Sequence, residues 1–408
     1  VLTSPLSEYI IANFQILAGT DAFSNLVQFA SFIFILFSAT LIFSLLKIGM
    51  KGQLFLLLAL LSLPMMLFQA TTTQTDLLAS FFFLSFILFA LLIIQTEASF
   101  KTNFIFLALS FTLGILTKYH IAIFAAPIVL YLLFVLLKNK NNANIIFAVL
   151  ISCITIAVIL APLFLRNIYF FGSITGKDLF DENATIVNST ISLQNMISNN
   201  FKHIIDFISI PINGYNSLLF SLNHTLHNII GVSENMPGNN WAGELFTVNN
   251  YLNEDTAGSI IHAALIILSL ILVFKSKHKT KLLLLFAYCF IAFSLYGLLF
   301  RYTPFDIRLL LPVLILLIII STYIIYTNIH NKFLLNGLIF LFLIISIFPV
   351  YFNRAKPIIG NPFYLKRVLA NSPKGDLDKV SLALLPSSNK EGIIKNYIFV
   401  DSTYTLKK

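Results

Sequence analysis

Apolar residues fall into ten long runs, at roughly 24–46, 53–68, 77–95, 103–117, 121–137, 145–165, 259–274, 281–300, 308–326 and 333–351. A hydrocarbon layer about 30 Å thick is crossed by about 20 helical residues, so each run predicts a membrane-spanning helix, several near the short limit. Residues 5–17, Pro-Leu-Ser-Glu-Tyr-Ile-Ile-Ala-Asn-Phe-Gln-Ile-Leu, are too polar and too short to span. Their apolar positions recur at helical spacing, which predicts a helix lying in the interface rather than a signal peptide. Between the sixth and seventh runs lies a long polar interval in which 201–231 mixes apolar and polar positions, the pattern of one or two further interfacial helices. Beyond 351 the composition turns to Pro, Lys, Asn and Ser, with strand-like runs at 380–385 and 397–400. The expected organisation is an outer interfacial helix at 1–23, spans at 24–165, a long outer loop at 166–258, spans at 259–351 and an outer polar tail at 352–408.

Composition and charge sharpen this reading. The chain is 58% hydrophobic and 11% charged, with 42 Phe among 408 residues and a mean hydropathy of +0.89, which excludes an ordinary soluble globule. A net charge of +9 would suggest nucleic acid in a soluble protein. Here the lysines gather in alternate short connections: Lys47 and Lys51, Lys101, Lys138 and Lys140, the group Lys275, Lys277, Lys279 and Lys281, and Lys332. That side is therefore expected to be cytoplasmic and no nucleic-acid partner is expected. Arg354 and Lys356 run against the rule, since they follow the last span on the other side. Cys153 and Cys289 both sit inside apolar runs, so neither a disulfide framework nor a zinc site is expected. Val1 in place of Met predicts that translation starts upstream, and one further span there would bring the N-terminus to the cytoplasm.

The lysine-poor side collects the remaining chemistry: Glu8, Asp76, Lys118, Tyr119, His120, Arg166, Asn167, Glu254, Asp255, Arg301, Asp306 and Arg308. In Gln69-Ala70-Thr71-Thr72-Thr73-Gln74-Thr75-Asp76 a carboxylate stands at the mouth of a span. One reading is that Thr75 and Asp76 cap the helix that follows; the other is that Asp76 belongs to a polar site. Cations beside carboxylates at headgroup depth suit a phosphate-bearing lipid, the cations holding phosphate and a carboxylate taking a proton. Singly, such Lys and Arg side chains also snorkel to the interface. His224 and His227 share a helix face at i, i+3 with Asp206 near in sequence, but interfacial histidines explain them better than a metal pair, and no metal is expected. Trp241, after Pro237-Gly238-Asn239-Asn240, reads as an interface anchor or as a platform for an acceptor sugar. No repeat, phosphate loop, dinucleotide fingerprint or nucleophile elbow is present, and no cofactor is expected.

Five motifs occur in a meaningful order: Pro5-Leu6-Ser7-Glu8-Tyr9, Gln69-Ala70 followed by Asp76, Leu113-Gly114-Ile115-Leu116-Thr117-Lys118, Leu165-Arg166-Asn167 with Phe171-Gly172, and Arg308-Leu309-Leu310-Leu311-Pro312. In this order they resemble GT-C membrane glycosyltransferases, above all bacterial family 39-like enzymes related to protein O-mannosyltransferases and the aminoarabinose transferase of lipid A. Asn253-Glu254-Asp255-Thr256-Ala257-Gly258 resembles a further segment of bacterial members. Where the family carries His or an aromatic before Pro-Pro-Leu, this chain reads Thr3-Ser4-Pro5-Leu6. The resemblance implies an all-α polytopic bundle of about ten spans, eleven with a preceding first one. It also implies transfer of a hexose or pentose from a polyprenyl-phosphate donor to an envelope lipid, glycan or protein, on the outer face of the cytoplasmic membrane. Lys118 and Arg308 match positions near the lipid phosphate, with Arg301 and Arg166 as further cations of that face, and Tyr119, His120, Glu254 and Trp241 are candidates for substrate contact. The family's catalytic carboxylate lies in a first outer loop, which would precede Val1; within the chain the candidates are Asp76, Glu8 and Asp255, in that order. A lipid-carrier-dependent ligase or polymerase of the O-antigen type remains an alternative. A secondary transporter is a weaker one, because span interiors carry almost no charge.

Overall fold

The computed structural model describes residues 4–21, 23–95, 99–139, 142–174, 186–236, 238–249 and 252–352. The chain divides into two units, Val1–Pro349 and Val350–Lys408. The polar tail, its strand-like runs, Pro237 and Lys140 lie outside the described residues.

Those residues form helices throughout, with only two isolated bridges between extended segments. In chain order the helices are α1 Leu6–Ala18, α2 Leu26–Leu45, α3 Met50–Leu61, α4 Pro64–Gln69, α5 Asp76–Gln95, α6 Phe100–Thr117, α7 His120–Asn139, α8 Asn142–Thr155, α9 Ala161–Phe171, α10 Leu193–Ile208, α11 Asn213–Ile229, α12 Ile260–Leu272, α13 Lys279–Leu299, α14 Asp306–Leu309, α15 Leu311–Asn328 and α16 Lys332–Phe352. Seven helical stretches are long and apolar enough to cross a membrane, and three shorter apolar ones accompany them, at Met50–Leu61, Ile260–Lys275 and Lys332–Ile347. Together they coincide with the ten apolar runs, so the polytopic all-α bundle stands. One run is subdivided. Pro64 forces the residue before it out of the helical region, Leu63 adopts an extended ψ of 110°, and the second run becomes α3 followed by the short α4.

α15 is the axis of the bundle. It packs against α3, α5, α12 and α13, and 72% of it is buried, whereas α5 sits among α2, α6, α7 and α15. Their shared core contains Ile35, Phe43, Phe55, Phe83, Phe124 and Ile318, each at most 1% exposed. By contrast, the continuous stretch Asn142–Phe171, in which α8 and α9 are joined by a π turn at Ile156–Leu160, is only 17% buried and turns apolar residues such as Val149 and Val158 outward, as a lipid-facing helix does.

In the long polar interval, α10 reverses the usual amphipathic arrangement. Ser198, Asn199, Lys202, His203 and Asp206 face inward and are buried, while Leu193 and Ile204 are exposed. α10 packs along α13, and the contact is close because Gly297 carries no side chain; a Cβ there would meet Asn200. Its C-terminal turn meets the segment before α12, where Ser259 N–H donates to Phe207 O and a Cβ on Gly258 would overlap the carbonyl oxygens of Asp206 and Ser209. The 252–258 loop is thereby fixed to α10, which brings Glu254 and Asp255 to the end of the bundle where α5 begins.

Candidate functional site

The start of α5 is built from three distant pieces of chain. The N–H groups of Leu77 and Leu78 donate to Gln28 Oε1 of α2, at 3.1 and 3.2 Å. Gln28 Nε2 donates to Gln69 Oε1 at 3.2 Å, and Gln69 Nε2 donates to the carbonyl of Glu254. Of the two readings of Thr75 and Asp76, the capping one yields to a cap supplied from another helix, because the Gln28 oxygen takes two of the helix's free donors. The Asp76 side chain is left to accept from Lys118 Nζ at 2.7 Å; Asp76 is 2% exposed and the lysine side chain 20%. Asp76 Oδ2 is buried without a hydrogen-bond partner.

Lys118 takes an extended conformation after α6, so the turn before α7 sends three consecutive side chains to three places. Lys118 reaches Asp76. Tyr119 OH accepts from Asn167 Nδ2 at 3.3 Å, and its burial pushes the phenol up. His120 is buried, tilted against Phe124 and edge-on to Tyr296 at a ring separation of 6.2 Å.

A second ion pair stands on the neighbouring loops. Arg308 Nη1 donates to Asp255 Oδ1 at 2.6 Å, Gln74 Nε2 donates to the same oxygen at 3.1 Å, and the guanidinium lies 5.5 Å from the Phe305 ring. Asn253 Oδ1 shapes the acidic loop by accepting from the N–H groups of Asp255 and Thr256. Arg308, like Lys118, is 20% exposed at its side chain. Two cations from loops 190 residues apart in sequence are thus each braced by one carboxylate and still open on one side; Gln74, two residues before Asp76, ties the pairs together.

Arg166 donates to Asn167 Oδ1 through Nη2 and Nε, at 2.9 and 3.3 Å, and joins the site through Tyr119. The Ser4 hydroxyl adjoins Tyr119 from α1's leading end, and one turn on, Glu8 Oε2 is buried without a hydrogen-bond partner. Arg301 and Trp241 belong to a separate strip: Arg301 N–H donates to Ile186 O, and Trp241 N–H donates to Tyr302 O. The histidine pair is divided. His227 is buried with Nδ1 on Asn223 O at 2.8 Å and Nε2 on Ser198 Oγ at 2.9 Å, while the exposed His224 faces Glu234 at 3.5 Å beside a cavity of about 350 Å³. Asp206 is with neither of them, because its carboxylate accepts from Tyr302 OH at 2.7 Å. Among the described residues no group of three His, Cys, Asp or Glu side chains is placed to hold a metal.

Beneath the two ion pairs lies a buried polar cluster that sequence reasoning missed. Lys202 is fully buried, donates to Asn240 Oδ1 at 2.6 Å and lies 5.2 Å from the Tyr302 ring; burial pushes its ammonium down to about 7. Asp306 Oδ1 accepts from Tyr296 OH at 2.8 Å and Thr303 Oγ1 at 2.9 Å, and its Oδ2 accepts from Thr303 N–H at 2.7 Å. His203 Nδ1 is 3.6 Å from Asp306 Oδ2. Burial pushes the Asp306 carboxyl up to about 7 against the pull of its hydrogen bonds, raises Asp206 well above the usual carboxylate range, and holds His203 neutral, down to about 3. The available signal was the spacing of Ser198, Asn199, Lys202, His203 and Asp206, a polar stripe of helical period.

Residues 3–164 match the family described as dolichyl-phosphate-mannose-protein mannosyltransferase. The match contains Pro5 to Tyr9, Gln69, Asp76 and Lys118, and ends before Arg166, the acidic loop and Arg308. No curated protein and no solved structure matches the chain. Over α1 to the start of α9 the resemblance drawn from the motifs is thus borne out: this part of the chain is similar to the GT-C-type membrane glycosyltransferases.

Proposed function

We propose that the protein transfers a sugar from a polyprenyl-phosphate donor to a cell-envelope acceptor, at the end of the bundle where Lys118 and Arg308 converge, and that this end faces the exterior of the cytoplasmic membrane. The observation that carries the reading is the pair of braced, one-fifth-exposed cations on loops that meet. A phosphate entering between them would exchange part of each carboxylate contact for charge-assisted bonds to its own oxygens. In the transfer, the acceptor hydroxyl oxygen bonds to the anomeric carbon, the bond from that carbon to the phosphate oxygen breaks, and polyprenyl phosphate leaves with the negative charge that Lys118 and Arg308 stabilise. The hydroxyl proton passes to a carboxylate, for which Asp76, Glu8 and Asp255 are this chain's candidates, in that order. Asp255 is committed to Arg308 and Gln74, and Asp76 supports Lys118. Tyr119, Arg166 and Asn167, with Glu8 behind them, form the adjoining polar wall against which the acceptor is placed.

In proteoliposomes, a polyprenyl-phosphate-linked sugar should be consumed with release of the polyprenyl monophosphate, in step with glycosylation of an envelope glycolipid extract. Use of diphosphate-linked donors alone would replace this reading by a ligase or polymerase. For the sidedness, a cysteine at the exposed Thr73 in a Cys153→Ser background should react with an impermeant thiol reagent in intact cells, and one at the exposed His278 should not. The reverse labelling pattern would put the site on the cytoplasmic face.

A further inference from the structure

Arg308 and Asp306 share the single turn of α14, but their side chains have opposite fates. Arg308 reaches outward to Asp255 with one-fifth of its side chain open, whereas Asp306 is 1% exposed and points into the bundle. The far end of this turn runs through Leu310, itself in the helical region, into α15. Its leading end is fastened by the Asp306 carboxylate, which gathers the Tyr296 hydroxyl from α13 and the hydroxyl and N–H of Thr303. We infer that Asp306 is a positioning residue for donor use: fastened by Tyr296 and Thr303, it holds the turn that presents Arg308 to the donor phosphate. The inference rests on the reading of Arg308 as a phosphate ligand.

The carboxylate form is the one this arrangement needs, since three donors converge on its two oxygens and a protonated carboxyl offers fewer acceptor sites. Titratable groups face it from several neighbouring elements. α13 supplies Tyr296; the segment after it supplies Tyr302; α10 supplies Lys202, His203 and Asp206; and α14 itself supplies Arg308. With Asp306 raised to about 7, its protonation falls near neutral pH. Because the Tyr296 hydrogen bond holds that value down, removing the hydroxyl moves the protonation to higher pH.

The test uses Tyr296→Phe and Asp306→Asn in the purified protein with a polyprenyl-phosphate-linked sugar as the probe. Each variant should raise the donor KM by about 3- to 10-fold with kcat within about twofold, the size expected for one net hydrogen bond. In the parent protein the donor KM should rise as pH falls through about 7; in Tyr296→Phe that inflection should move upward, and in Asp306→Asn it should vanish. Placed on Arg308→Gln, neither substitution should raise the KM further. A loss of kcat and folded yield together, with the pH profile unmoved, would reduce Asp306 to a structural part and overturn the inference. If Arg308→Gln alone leaves the donor KM unchanged, the reading of Arg308 as a ligand fails instead. The positional link is then judged from thermal unfolding: non-additive effects of Tyr296→Phe and Arg308→Gln retain it, and additive ones overturn it.

Discussion

Replacing Lys118 or Arg308 by Gln should lower use of the lipid-phosphate donor by about one to two orders of magnitude while leaving the protein folded. Hydrogen bonds to charged groups are worth roughly 1.5–3 kcal/mol, and each 1.4 kcal/mol is a factor of ten. Folding should survive because both side chains are partly open and Gln keeps most of their length. The partner carboxylates offer a graded comparison. Asp76→Asn keeps the shape that supports Lys118 and leaves its ammonium in place, so donor use should fall less than in Lys118→Gln. Steady-state kinetics with the donor as the varied substrate separate the cases. Unchanged donor KM in both Gln variants would remove the cations from the site. A collapse of kcat in Asp76→Asn at constant KM would make Asp76 the base rather than the brace, since a positioned base contributes about 10²- to 10⁴-fold.

Gln28→Leu should destabilise the protein by roughly 2–4 kcal/mol, because it leaves the Leu77 and Leu78 N–H groups buried and unpaired, and an unsatisfied buried donor costs about 1–3 kcal/mol. Leu also deletes the donor to Gln69, which in turn carries the Glu254 carbonyl. The loss should therefore appear twice: as a lower midpoint of thermal unfolding in detergent, and as weaker donor use, since Gln69, Gln74 and Asp76 share one loop. An unchanged midpoint would mean that Asp76 or Thr75 caps α5 after all.

The spans were legible because length and apolarity over about 20 residues are local properties that lipid demands directly. The grouping of Asp76, Lys118, Asp255 and Arg308 was legible only as a shared side, through the alternation of lysine-rich connections; that Gln74 links the two ion pairs was not. Gln28 was visible as an amide inside an apolar run, yet its partners lie 41 and 49 positions away, beyond the reach of any local pattern. α10 shows the deeper difficulty. Its period announces two faces, but which face turns inward depends on what covers it, and the covering groups, Asn240, Asp306 and the carbonyls of Gly297 and Phe300, come from later segments. Asp306 was counted among the outer charges for the same reason: a charged residue next to a span looks alike in sequence whether it faces water or a buried tyrosine.

The stretch Asn142–Phe171 sets a dimension for the whole polar end. Its 30 residues measure about 45 Å at 1.5 Å per residue, against about 30 Å of hydrocarbon, so it either tilts steeply or lifts α9 clear of the lipid. α9 carries Asn167, which is tied to Tyr119 and to the carbonyl of Ile174, so the azimuth of this long helix is pinned at its far end. An inserted or deleted residue in the α part of the shaft would swing Asn167 by about 100° away from Tyr119. The π turn at Ile156–Leu160 closes its hydrogen bonds over one more residue than an α turn does, so a deletion there could be absorbed by reverting to α geometry with the phase of Asn167 preserved. Tolerance of this helix to changes in length is therefore concentrated in five residues, the phase adjuster of an otherwise rigid spacer.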